Sequence, residues 1–145
     1  MRYIYPVLID EDEDGRYVAK GIDIPEAVTD GKTRDEALRN MSDALGAALA
    51  GYTLGGRPLP KPSRAPAGSY RVPVAPLVAA KLILRQAMNE ENISNIELAR
   101  RLGVSEGAIR RLVNPDHVSR LDRIVSALRA LGHELIIEDQ KHAAA

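Results

Sequence analysis

The chain has no cysteine, no tryptophan and no phenylalanine. Without cysteine there is no disulfide framework, no thiolate metal site and no thiol nucleophile. Five tyrosines supply all the aromatic side chains, 3% of 145 residues. That is too few for the stacking platforms on which single-strand binders lay bases. No apolar run approaches the roughly 18 residues of a membrane span. The opening MRYIYPVLIDEDEDG reads as a strand running into acids. It does not read as an apolar h-region with a small-residue cleavage site, so a cytoplasmic, membrane-free protein is expected. What remains is 45% hydrophobic and 28% charged, the balance of a soluble globular chain. The length suits one ordinary domain or two small ones.

Net charge is zero, but it is unevenly spread. Residues 1–50 carry six basic against eleven acidic side chains, a net of −5. Residues 51–80 carry four basic and no acidic ones, and residues 81–145 ten basic against nine acidic. An acidic front and a more basic rear indicate two modules with different partners. Six of the nine prolines fall between Pro58 and Pro76, and proline's missing N–H and fixed φ bar a helix from this stretch. The expected division is therefore a front module over 1–66, a linker with a short edge strand at 67–75, and a rear module over 76–140.

The fold class expected is α+β. In the front module Tyr3, Tyr5, Val7 and Ile9 alternate with Ile4 and Leu8, a strand buried on both faces or nearly so. Arg16 to Lys20 returns as its hairpin partner, and Ala27 to Thr29 makes a third short strand. Thr33 and Glu36 form a capping box. Leu38, Met41, Leu45, Leu49 and Tyr52 then recur at helical spacing to about Tyr52. This β-β-β-α unit has a thin core, which a partner or a second copy would complete.

The rear module reads as helices. Pro76 opens one that runs to about Glu91. Ser94 with Glu97 forms a capping box, Ser105 eleven residues on is the next N-cap, and Gly103 supplies the positive φ between them. Ser119 is expected to cap a last helix, and Glu134 to Glu138 to form a terminal strand. Two short helices across a Gly-Val-Ser turn make a helix-turn-helix. Its exposed candidates for DNA contact are Ser94, Asn95, Arg101, Ser105, Glu106, Gly107, Arg110 and Arg111. Cap amides suit phosphates, and arginine suits guanine edges in the major groove. SNIELARRLGVSEGAIRRLVNP resembles the lambda-repressor-like (Cro/C1-type) helix-turn-helix family over about residues 80–131. Asn95 and Glu106 stand where that family often carries glutamine. One such motif reads a half-site, so a homodimer or higher oligomer through the rear module is expected. The short apolar stretch Leu135 to Ile137 is its expected pairing edge.

The front sequence resembles the HicB antitoxin family. The resemblance rests on the strand-turn-strand around Asp14-Gly15, on DIPE at 23–26, on Thr29 with Gly31, on EAL at 36–38 and on Leu59-Pro60-Lys61-Pro62-Ser63. It implies a partial RNase-H-like module without nuclease activity and binding to a small basic HicA-type ribonuclease toxin. It also implies repression of the protein's own operon through operator DNA. Attraction between a basic toxin and the acidic front is physically reasonable. The candidate toxin-binding residues are Asp10, Glu11, Asp12, Asp23 and Glu26, which also fit ordinary solvated turns. No catalytic residue, metal or cofactor is expected. A carboxylate Mg²⁺ site built on Asp10 and Asp43 is the enzymatic alternative. A regulator whose front module senses a small molecule is the other. His117, His133 and His142 lack a nucleophile or metal spacing beside them and read as helix-end or surface residues.

Overall fold

The acidic turn at Asp12 to Gly15 folds one strand back on the next. Asp12 N–H donates to the Arg16 carbonyl at 2.7 Å, and Gly15 takes a φ of 75° that side chains with a Cβ resist. The computed structural model describes residues 1–141; His142 lies outside the described residues. Strands β1 (Ile4–Glu11), β2 (Tyr17–Gly21) and β3 (Val28–Gly31) are followed by α1 (Arg34–Leu54). Next come β4 (Tyr70–Pro73), α2 (Pro76–Glu90), α3 (Asn95–Leu102), α4 (Glu106–Val113) and α5 (Leu121–Ala130). The strands form one antiparallel sheet in the order β3-β2-β1-β4. The observed class is thus α+β, β-β-β-α followed by a helical region.

α1 covers one face of the sheet. Tyr5, Val7 and Ile9 of β1 are buried beneath it with Ala19 and Val72. The other parity is mixed: Pro6 is buried, Ile4 is half-buried and Leu8 is 44% exposed. The expected burial on both faces therefore fails at Leu8. Successive side chains alternate across a strand, and among the described residues one helix layer covers only one of the two faces. Thr33 caps α1 as expected, accepting from Glu36 N–H at 3.1 Å, while the Glu36 carboxylate reaches back to Lys32 N–H at 2.9 Å. At the end of β3, Gly31 lets the chain turn into the helix. A Cβ there would stand 2.5 Å from the Ala37 nitrogen.

The front core draws on residues well beyond the first fifty. Leu59, Val72, Val74, Ala79 and Leu82 all belong to it. A strap of irregular chain fastens it from below. Tyr5 Oη donates to the Pro60 carbonyl at 2.7 Å, and Leu59 N–H to Gln86 Oε1 at 3.2 Å. Helix α2 then serves two cores at once. Its Ala79 and Leu82 pack into the front core, whereas Ala80, Leu84, Ala87 and Met88 pack into the rear one.

The rear core gathers Leu98 and Ala99 of α3, Ile109 and Leu112 of α4, and Ile124, Ala127 and Leu128 of α5. Two expectations fail here. Ser119 does not cap α5; the helix starts after Arg120 without a side-chain cap. The Ser119 hydroxyl is held instead by the Lys81 ammonium at 2.8 Å. The terminal strand at Glu134 to Glu138 is also absent. A strand exists through its ladder partner, and this segment has none among the described residues. Ile136 and Ile137 are left 86% and 70% exposed.

Candidate DNA and partner-binding surfaces

The helix-turn-helix is built by local signals. Ser94 Oγ accepts from Glu97 N–H and Ser105 Oγ from Ala108 N–H, each at 3.1 Å. Gly103 sits at φ 66°, ψ 34° between the helices. Each cap satisfies one first-turn amide, and the amides before it have no intrahelical acceptor. The positive end of the helix dipole adds to their attraction for anions. Ser105, Glu106 and Gly107 thus open α4 with donors available to a phosphate.

The exposed arginines are held in place by acids of their own helices. Glu97 Oε1 takes Arg100 Nη2 at 2.7 Å and Arg101 Nε at 3.1 Å. These arginines pull the Glu97 carboxyl down to about 2. The capping box is consequently only half formed, because the Glu97 side chain turns to its arginines. Glu106 pairs with Arg110 one turn on. Arg111 is exposed and makes no ion pair among the described residues. Asn95 and Arg110 both line an open cleft of about 970 Å³, which Asp43, Ala47 and Gly51 of α1 also line. Arg85 of α2 also lines it, and its Nε is buried without a hydrogen-bond partner among the described residues. Nothing in the sequence marks Arg85 out. An arginine on a helix with helical spacing carries no sign that tertiary packing will enclose it.

The acidic candidates of the front module are divided. Asp12 Oδ1 accepts from the N–H groups of Asp14 at 2.9 Å and Arg16 at 2.8 Å, which makes it a turn residue. Asp23 accepts from Ser63 N–H at 2.8 Å and ties down the strap. Glu26 accepts from the Tyr52 hydroxyl at 3.1 Å. Asp10 and Glu11 are exposed at the end of β1. Asp30, which the sequence reading did not single out, pairs with Arg16 at 2.8 Å, and that hydrogen bond lowers its pKa. Asp10 has the parity of the open sheet face, away from α1, whereas Asp43 is on α1 and lines the cleft. The structure does not bring these two carboxylates together. Among the described residues no group of three or more His, Asp or Glu side chains is placed to share a metal ion.

A family model described as the HicB-like antitoxin of bacterial toxin-antitoxin systems matches residues 4–83. The chain belongs to the HicB antitoxin family. A second model, described as winged helix-turn-helix DNA-binding, matches residues 80–115, which contain α3 and α4. Similar HicB proteins span nearly the whole chain. "Antitoxin HicB 2" of Photorhabdus laumondii is 41% identical over 131 residues, 90% of this chain and 92% of that protein. "Antitoxin HicB" of Escherichia coli is 37% identical over 90% of this chain and 95% of its own length. "Antitoxin HicB" of Pseudomonas fluorescens is 35% identical over 87% of each. This HicB-family chain therefore carries an antitoxin module and a helix-turn-helix DNA-binding region. No helix among the described residues is long and apolar enough to cross a membrane.

Proposed function

We propose that the protein is a cytoplasmic antitoxin that masks a HicA-type ribonuclease toxin and represses its own operon. The observation that supports this most strongly is the union, in one chain, of the HicB-family sheet and a capped helix presenting Arg110 and Arg111. The front half binds the toxin and inhibits it by covering its RNA-binding surface. Asp10 and Glu11 are the acids best placed to meet a basic partner, since Asp12, Asp23 and Glu26 already serve the fold. The rear half binds operator DNA through α4 and the two caps, as a dimer. Exposed Ile136 and Ile137, in a segment with unpaired backbone, favour pairing with the same segment of a second copy. The motif is of the all-helical, lambda-repressor-like kind. In favour of that, α4 runs through a loop into α5, and no paired strand follows it among the described residues.

The test is retention of binding proteins from the native cell on the full chain, followed by an activity assay of what is held. The expected result is a stoichiometric small basic protein whose RNA cleavage stops when the full chain is added. A chain that binds its own promoter duplex but holds no such protein would refute the antitoxin reading.

A further inference from the structure

Lys81 is 1% exposed, and lysine is almost never buried to that extent without compensation. Its ammonium faces no carboxylate among the described residues. It donates instead to four neutral oxygens: the carbonyls of Arg111 at 3.1 Å, Asn114 at 2.8 Å and His117, and the hydroxyl of Ser119 at 2.8 Å. An ammonium has three donors and no acceptor, so its full capacity is spent here. Burial lowers its pKa from the ordinary lysine value. The four oxygens share a location. Arg111 stands in the last turn of α4 and Asn114 is its C-cap, where helix carbonyls lack intrahelical partners and the dipole is negative. His117 and Ser119 belong to the loop that leads into α5.

The lysine itself is fixed by its neighbours. Ala80 and Leu84 hold α2 in the rear core and Leu82 holds it in the front core. We infer that Lys81 is a positioning residue for DNA recognition: its ammonium ties the C-terminal end of α4 to α2, and so sets the angle at which Arg110 and Arg111 meet the groove. Lys81 touches no DNA in this arrangement, being enclosed by protein. Its effect is on the geometry of base reading. Loose phosphate contact, which tolerates displacement, depends on it less.

The inference rests on the DNA-binding reading, and the experiment separates the two. Full-length wild type and Lys81→Met are titrated at 15 °C against a duplex of the protein's own promoter and against a random duplex of equal length. Thermal melts establish that both proteins are folded at that temperature. Methionine keeps most of the stem and removes the donors. The expected result is a loss of about tenfold or more in promoter affinity, against less than about twofold on random duplex, the pattern of lost base readout. A folded Lys81→Met that binds the promoter like wild type would overturn the inference and leave Lys81 a purely stabilising residue. If Lys81→Met is unfolded at 15 °C, Lys81→Gln takes its place. Its amide is one bond shorter and has two donors instead of three, so it cannot hold both Arg111 and Asn114 as the ammonium does; about a threefold loss of promoter preference is expected, and unchanged preference would overturn the inference. A wild type that does not distinguish promoter from random duplex refutes the DNA-binding reading and with it this role.

Discussion

The front and rear halves are stabilised in different ways. The front half depends on pairings distant in sequence: β4 joins β1 across more than fifty residues, and Tyr5 Oη reaches the Pro60 carbonyl. The rear half is a set of short helices, of which α3 and α4 are each begun by a serine cap beside them. The junction shows the limits of that division. Helix α2 has one side in each core, with Leu82 in front and Leu84 behind. A boundary drawn at the proline-rich stretch would strip the front sheet of β4 and its core of Val74, Ala79 and Leu82. Two modules of different function thus share one structural helix.

The largest effect should come from that helix. Leu82→Ala and Leu84→Ala each empty a fully packed site, and such truncations cost about 2–5 kcal/mol. With α2 common to both cores, each variant should shift a single urea transition seen identically by circular dichroism and tyrosine fluorescence. Two separated transitions, with only one shifted per variant, would show that the halves unfold independently. Next in size is Gly31→Ala, whose clash lies in the front half. Its Cβ would meet backbone 2.5 Å away, an overpacking worth about 1–3 kcal/mol. Ser105→Ala is smaller and belongs to the rear. It removes the bond to Ala108 N–H and should cost about 1 kcal/mol in a urea titration. The smallest effect is that of pH. The Glu97 carboxyl lies at about 2 when folded, below its ordinary 4.5, because Arg100 and Arg101 hold it. A depressed acid stabilises the fold above 4.5 and loses that contribution as pH falls toward 2. Melting temperature should therefore drop more steeply over this window in wild type than in Glu97→Gln.

The same contrast explains what was legible in the sequence. Thr33, Ser94, Ser105 and Gly103 act within three or four residues of themselves, and each does in the structure what its spacing predicts. The open face of the sheet was not legible, because alternation shows two parities and does not say how many layers cover them. Leu8 is exposed for that reason. Nor was Lys81, whose partners lie thirty or more residues away. Its claim on Ser119 also displaced a cap that local pattern favoured. In the candidate site the residues of α3 and α4 were named correctly as elements of a helix-turn-helix. Their pairing with Glu97 and Glu106, and the cleft shared with α1, came only from packing.

The central proposal is that toxin masking and DNA binding are carried by different halves of the chain. The most direct test is one double variant, Arg110→Ala with Arg111→Ala, measured in two assays. Both side chains are exposed on α4, so the fold should survive their loss. The proposal predicts full inhibition of the toxin's RNA cleavage at wild-type stoichiometry, together with at least about a tenfold loss of promoter affinity. Promoter binding at wild-type strength, or loss of toxin inhibition along with it, would contradict the proposal.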